Sequence, residues 1–261
     1  MSSNDRFADG RYADLIDWGS RLRRETPFLE KVLGLPPSGT VADLGSGSGE
    51  HARWLAARGW TAVGLDTSEA QIESARRYEG EFGPRGPRFL QEDILRLPEV
   101  VETPLNGAIC LGNVLPYFDD DELAPRLRAI AASLAPGAPL LVQLLNYQRI
   151  RAQGLRTLGV NLRPDPQKEE GELVWLRLFT PRDERHLFFH PITLEFTPGT
   201  EEPVVMRSAR EIVVRSWTWP ELEDALMRAG FTGLEHYGNL QGAAFDPEAS
   251  HDLVFVARRA R

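Results

Sequence analysis

The first chemical signal is a run of glycines framed by two acids. Val41-Ala42-Asp43-Leu44 is an apolar strand pattern that enters Gly45-Ser46-Gly47-Ser48-Gly49-Glu50. A second apolar stretch, Thr61 to Leu65, ends on Asp66. Glycines at this spacing let backbone turn tightly and approach a ligand closely. A carboxylate one strand later can accept hydrogen bonds from both hydroxyls of a ribose. In the dinucleotide fingerprint G-x-G-x-x-G, a helix N-terminus holds a diphosphate. Its third glycine position is Glu50 here, and a carboxylate repels a diphosphate. The pattern therefore favours a nucleoside without phosphate.

Further polar side chains follow the ends of later apolar stretches: Glu92-Asp93-Ile94, Asn113, Tyr117, and Asn146-Tyr147. Placed on one edge of a sheet, they would meet the same ligand. Each has a purely structural alternative. Asp93 and Arg21 can be a helix cap or a solvated face, and Tyr12, Tyr117 and Tyr147 can be aromatic packing. His186 and His190 are four apart in a strand pattern without a nearby cysteine, too few ligands for zinc. His51 follows the glycine run, where a helix-surface role competes with ligand contact. Trp217 and Trp219 read as packing residues. Cys110, in Ala108-Ile109-Cys110-Leu111, reads as a buried thiol and not a nucleophile.

The elements that must position these residues alternate. Strands are expected at Thr40 to Leu44, Thr61 to Leu65, Pro87 to Gln91, Gly107 to Leu111 and Ala138 to Leu145. Helices fall between them, among them Gly49 to Arg58, a Ser68/Gln71-capped helix through Tyr78, and Asp119 to Leu134. This predicts a seven-stranded, mostly parallel Rossmann-like α/β sheet with helices on both faces, binding at the carboxyl ends of its strands. Phe7 to Leu33 reads as helical, broken at Pro27. After Asn146 the rhythm changes to loop and strand. Leu173 to Phe179, His186 to Phe196 and Val204 to Val214 alternate as antiparallel strands, while Asn161 to Gly171 reads as an exposed loop. A helix capped by Thr218 and Glu221, then Phe231 to Tyr237 and Asp252 to Ala257, complete the core. The expected organisation is an N-terminal helical cap (1–39), a nucleoside-binding core (40–145), an inserted antiparallel β lid (146–215) and a C-terminal part of the core (216–261).

The stretch Asp43-Leu44-Gly45-x-Gly47-x-Gly49 resembles the first motif of class I S-adenosylmethionine-dependent methyltransferases. Asp66, Glu92-Asp93-Ile94 and Leu111-Gly112-Asn113 resemble the cofactor-loop motifs that follow it. Ile109 to Tyr117, Asn146 to Ile150 with Gly154, and the β insertion are similar to the glycine/sarcosine N-methyltransferase branch. The resemblance implies S-adenosyl-L-methionine as cofactor, with Glu50 harmless beside a sulfonium nucleoside. Cofactor binding would fall to Arg21 (methionyl carboxylate), Asp43 (the loop or the ammonium), Gly45, Ser46, Gly47 and Gly49 (the turn), Asp66 (ribose), Asp93 and Ile94 (adenine), with Thr67 and Leu111. Asn113, Tyr117, Asn146 and Tyr147 would face the methyl acceptor, with Tyr12 closing over it. Leu145 stands where the glycine-methylating branch carries an arginine before its Asn-Tyr pair. Leucine cannot form the bidentate pair a carboxylate needs, so an acceptor other than glycine or sarcosine is expected.

Composition narrows the partners. The 261 residues carry a net charge of -8, which offers no basic footprint for nucleic acid or an anionic membrane. A single cysteine excludes an internal disulfide. Met1 to Gly10 lacks a signal-peptide pattern, and no stretch is apolar enough to span a bilayer. The expectation is a cytoplasmic methyltransferase acting on a small molecule, most simply at an amine nitrogen, with oligomeric state open. Two other functions fit a Rossmann-like fold: an NAD(P)-dependent dehydrogenase, opposed by Glu50, and a non-catalytic S-adenosylmethionine-binding module.

Overall fold

In the computed structural model the described residues are 12–261, without 35, 36, 38, 84, 85, 103 and 169. A short 3-10 turn, Tyr12–Leu15, precedes α1 (Trp18–Leu33), β1 (Thr40–Leu44), α2 (Glu50–Ala57), β2 (Thr61–Asp66) and α3 (Glu69–Arg76). Next come β3 (Arg88–Gln91), α4 (Leu97–Val100), β4 (Gly107–Cys110), α5 (Asp120–Ser133) and β5 (Pro139–Leu145). A short helix α6 (Tyr147–Ala152) leads to β6 (Asn161–Pro164), β7 (Glu172–Pro181), β8 (His186–Phe196), β9 (Val204–Ala209) and β10 (Ile212–Arg215). The chain closes with α7 (Trp219–Arg228), β11 (Phe231–Tyr237) and β12 (Asp252–Arg259).

The main sheet has seven strands in the order β11-β12-β5-β4-β1-β2-β3. Five run parallel, while β12 is antiparallel to both β5 and β11. Successive side chains of β1 enter different cores, as a pleated strand buried on both faces requires. Val41 packs with Leu29, Leu55 and Ile72, whereas Ala42 and Leu44 pack with Leu127 and Ile130. The order of the parallel strands reverses between β1 and β4, and a crevice opens at their carboxyl ends.

The expected break at Pro27 is not where the N-terminal helix is interrupted. Asp17 caps α1, its side chain accepting from the Ser20 N–H at 3.0 Å. Pro27 lies inside α1. Both Pro27 and Arg23, whose carbonyl the ring leaves unpaired, are exposed, so water can serve that carbonyl.

The insertion forms a second, five-stranded sheet in the order β10-β8-β7-β6, with β9 also paired to β8. Three expectations need correction here. Asn161 to Gly171 is not all loop, because β6 pairs with β7 as an edge strand, with Pro164 ending it where a ladder donor is dispensable. Val204 to Val214 is two strands. Both pair with β8, but Pro191 has no N–H to give, and the ladder is interrupted between Ala209↔Ile192 and Ile212↔Phe189. α6 starts directly after β5 because the Asn146 side chain caps it. On β8 the alternation holds with its polar members inside: Thr193 and Glu195 are buried, and Glu195 accepts from Lys168 and Arg207.

Candidate functional site

A cleft opens at the carboxyl ends of β1, β2 and β4, walled by α1 on one side and α5 on the other. Its floor is the glycine turn. Gly45 and Gly47 have φ of 72° and 54°, left-handed values that favour glycine. A side chain at Gly45 would strike Val114 at 2.4 Å, whereas a Cβ added at Gly47 would meet only Gln71 Oε1, at 3.8 Å. Gly47 is therefore the point where main chain lies bare to the cleft. Gly49, expected to approach a ligand as well, does not line it. Its φ is 88°, and an added Cβ would sit 2.5 Å from Phe89. Gly49 is needed for packing between the turn, β3 and α3.

Asp66 ends β2 with both oxygens fixed. Oδ2 accepts from the Gly47 N–H and Oδ1 from the Ser68 N–H, each at 2.9 Å. Two backbone donors thus fix the orientation of the Asp66 carboxylate at the cleft. Asp43 is 2% exposed at the end of β1. Burial raises its pKa to about 6, helped by Asp66 and Glu50 and opposed by the His51 charge. Cation density beside it would hold it ionised.

At the other end of the glycine turn, α1 and α2 share an ion network. Glu25 accepts from Arg21 Nε at 2.8 Å and meets His51 Nε2 at 2.9 Å. Burial pushes the Glu25 carboxyl up, but the His51 hydrogen bond and the Arg21 charge outweigh it and hold it down. Arg21 lies over Trp18, and Trp18 meets His51 edge-on. Toward α5, Asp93 is clamped by Arg126, with Nε at 2.9 Å and Nη2 on the second oxygen. Asp93 also caps a 3-10 turn through the Leu95 N–H, so its capping role and its place in the cleft coexist.

Of the expected residues, Arg21, Asp43, Gly45, Ser46, Gly47, Asp66, Thr67, Asp93, Ile94, Leu111 and Tyr117 line the cleft. The others are placed differently. Asn113 has a φ of 71° and spends its amide inside the protein: Nδ2 donates to the Tyr147 hydroxyl at 2.8 Å and Oδ1 accepts from the Leu145 N–H at 3.0 Å. Tyr147 is fully buried, and burial pushes its hydroxyl well above the usual phenol range. Asn146 is 1% exposed, capping α6 and donating to the Pro247 and Ser250 carbonyls. The side chains of these three, expected to face an acceptor, are engaged within the protein. They tie the ends of β4 and β5 to α6. Tyr12 opens the 3-10 turn, but its side chain lies outside the described residues.

The cleft also contains residues that sequence reasoning missed or passed over: Trp18, Gln71, Val114, Phe118, Glu122 and Arg126. Gln71 carries capping-box spacing with Ser68, and that reading hid its second position on the cleft wall. Outside the cleft, His186 is tied to Asp183 and Asp119. Trp217 packs in the core and donates to the Phe118 carbonyl. Cys110 is fully buried with its thiol pushed well up, so it stays un-ionised.

The residues present fit S-adenosylmethionine. Around the glycine turn, Trp18 Nε1, Asp43 Oδ2, Ser46 Oγ and both polar atoms of Gln71 are buried without a hydrogen-bond partner. Such groups each cost about 1–3 kcal/mol unless a ligand satisfies them. The acids suit hydroxyl, ammonium and amino donors, and Arg21 suits a carboxylate. Glu50, buried at the N-terminus of α2 where a diphosphate would rest, opposes a dinucleotide.

Comparison with known proteins agrees. Residues 41–137 match the family described as a methyltransferase domain. A glycine/sarcosine N-methyltransferase from Halorhodospira halochloris is 28% identical over 152 residues, 58% of this chain and 56% of its own length. The match thus spans little more than half of that relative. Among solved structures, the CcbJ methyltransferase from Streptomyces caelestis has a TM-score of 0.73 at 22% identity, covering 98% of this chain and 97% of its own. An amino pentose methyltransferase from Micromonospora echinaspora, with S-adenosylmethionine bound, has a TM-score of 0.68 at 19% identity, covering 97% and 94%. These two likenesses show the fold.

Proposed function

From the premise that this chain is a class I S-adenosylmethionine-dependent methyltransferase resembling the glycine/sarcosine N-methyltransferase branch, we propose that it methylates an amine nitrogen on a small molecule. S-adenosylmethionine, when bound, supplies a methyl group on a positively charged sulfur. The chain's own residues hold and align. Asp66 takes the ribose hydroxyls, aimed by the Gly47 and Ser68 N–H groups. Asp43 takes the ammonium, and Arg21, aimed by Glu25, takes the carboxylate. Asp93, clamped by Arg126, accepts from the adenine amino group, with the Ile94 N–H on a ring nitrogen. Thr67 and Leu111 wall the adenosyl part, while Ser46 and Gly45 shape the turn beneath it.

Tyr117 is the polar side chain left at the acceptor edge once Asn113, Asn146 and Tyr147 are counted as bracing. A neutral amine needs no strong base if it arrives unprotonated and aligned. Alignment alone can supply on the order of 7–11 kcal/mol. A nitrogen acceptor is supported by the relatives named for glycine, sarcosine and an amino pentose, although another is named for trans-aconitate. Leu145, at the end of β5, gives no guanidinium for an amino-acid carboxylate, which favours amines other than glycine and sarcosine. The net charge of -8 favours a small acceptor over a nucleic acid. No helix among the described residues is long and apolar enough to cross a membrane. A cytoplasmic setting is part of the same reading.

The observation that carries the proposal is the acid-rich, glycine-floored cleft with its unpartnered buried polar atoms. Adenosylhomocysteine release, measured against a panel of amino sugars, amino acids and carboxylic acids, tests it. Turnover on amines is expected. Turnover confined to carboxylic acids would refute the nitrogen assignment. Cofactor binding without turnover on any acceptor would make the chain a binding module.

A further inference from the structure

We propose that Gln71 is a second reader of the cofactor's ribose, working opposite Asp66. The inference rests on the cofactor reading above. Gln71 sits in the first turn of α3, is 2% exposed, and forms part of the cleft wall. Its backbone N–H is held by Ser68 Oγ at 3.4 Å, yet neither Oε1 nor Nε2 of its side chain has a partner. The next residue inward, Ile72, is 1% exposed in the apolar core. Packing alone would favour an apolar side chain at 71 as well, since a buried amide without partners is destabilising.

The amide's surroundings identify what it meets. Gln71 Oε1 lies 3.8 Å from where a Cβ would project at Gly47. The N–H of that same Gly47 donates to Asp66 Oδ2. Carboxylate and amide thus meet at the same residue of the glycine turn on the cleft wall. Their chemistry is complementary. An ionised carboxylate only accepts, so Asp66 takes the protons of the ribose hydroxyls. The hydroxyl oxygens are then acceptors in need of a donor, and the Gln71 Nε2–H group supplies one.

Two variants of position 71 and two analogues of its ligand test this together. Gln71→Leu and Gln71→Met keep bulk and remove the amide. The measurements are calorimetric affinity for S-adenosylhomocysteine and for its 2′-deoxy and 3′-deoxy analogues, and the melting temperature of ligand-free protein. Both variants are expected to melt higher than the parent without ligand, because an unsatisfied amide is gone. They are expected to bind S-adenosylhomocysteine about tenfold more weakly, the size of one lost hydrogen bond. With one of the two deoxy analogues the loss should shrink to less than about twofold, since the bond's partner is already missing. A purely structural Gln71 would move melting temperature and affinity downward together. Unchanged affinity for S-adenosylhomocysteine, or an equal loss for all three ligands, would overturn the proposal. Failure of the parent to bind S-adenosylhomocysteine would instead remove the cofactor reading beneath it. If Gln71→Leu does not fold, Gln71→Met decides alone.

Discussion

Asp43→Asn separates what the cleft costs the empty protein from what it gives the ligand. Asp43 is 2% exposed, and its pKa is raised from 3.8 to about 6, chiefly by burial. A shift of that size corresponds to about 3 kcal/mol between the two protonation states. The sign follows from proton counts. Between pH 4 and 6 the native state holds the Asp43 proton more often than the unfolded state does. This contribution to stability is therefore present at low pH and is lost as pH rises through about 6. Integrating the two pKa values gives a loss of about 1.4 kcal/mol from pH 5 to pH 8, with the remainder falling below pH 5. Other carboxylates contribute with the opposite sign, so the quantity to measure is the difference between variant and parent. Urea unfolding at pH 5, 6, 7 and 8 supplies it. Asparagine keeps the shape, and one of its side-chain atoms can retain the hydrogen bond with Ala52. The variant should gain on the parent by about 1.4 kcal/mol over that range. Cofactor affinity should respond in the opposite sense. In the parent an ammonium beside Asp43 requires the carboxylate, so affinity should weaken below about pH 6, approaching tenfold per unit. In Asp43→Asn affinity should be weaker at pH 8 and nearly flat with pH. A stability difference that does not change from pH 5 to pH 8 would refute the burial argument. A variant that binds the cofactor as tightly as the parent at pH 8 would refute the ammonium assignment.

Asp66→Ala removes the acceptor for the ribose diol and the anchor of the Gly47 and Ser68 N–H groups. Each charge-assisted hydrogen bond contributes about 1.5–3 kcal/mol, so affinity for S-adenosylmethionine should fall by at least about 100-fold. Calorimetry checks this, and unchanged affinity would mean the ribose lies elsewhere. Tyr147→Phe leaves the Asn113 amide inside the protein without its acceptor and should lower unfolding free energy by about 1–3 kcal/mol. If Tyr147 only braces, KM for an amine acceptor that the parent turns over should stay within about twofold. A large rise in that KM with unchanged stability would return Tyr147 to the acceptor site.

The alternating strands and helices were legible because each core strand is a short apolar run bounded by turn residues, as at Thr40 to Leu44 before Gly45. Two features escaped for physical reasons. Pro27 reads as a break by its missing donor, but whether that matters depends on which way residue 23 points, and no local pattern reports that. β9 and β10 read as one strand because their own residues allow it. The interruption comes from Pro191, on the neighbouring strand, so it is a property of the pairing and not of the segment. The glycine run illustrates the same limit inside the site. Gly47 and Gly49 look equivalent in sequence and both have positive φ, yet one faces the cleft and the other faces Phe89.

The acceptor side shows most clearly where residue type and spacing stop being informative. Asn113, Asn146 and Tyr147 have the polarity expected of groups that orient an amine. Their donors and acceptors are instead consumed by one another and by the Leu145, Arg149, Pro247 and Ser250 backbone. Polar residues at strand ends serve either purpose, and only burial distinguishes them. At the cofactor side the balance is reversed: Asp43 and Gln71 are as buried, and together with half-buried Ser46 they keep atoms unpartnered. Unsatisfied groups are destabilising, and a ligand that satisfies those around this turn recovers the loss. Ligand-free protein should accordingly gain far more stability from S-adenosylhomocysteine than from adenosine. Adenosine offers the proposed ribose and adenine contacts, but it lacks the ammonium and carboxylate proposed to meet Asp43 and Arg21. Equal gains at equal multiples of Kd are required by mass action, so the comparison belongs at equal free concentration. A melting-temperature shift no larger for S-adenosylhomocysteine than for adenosine there would mean that Asp43 and Arg21 contribute nothing to holding the ligand.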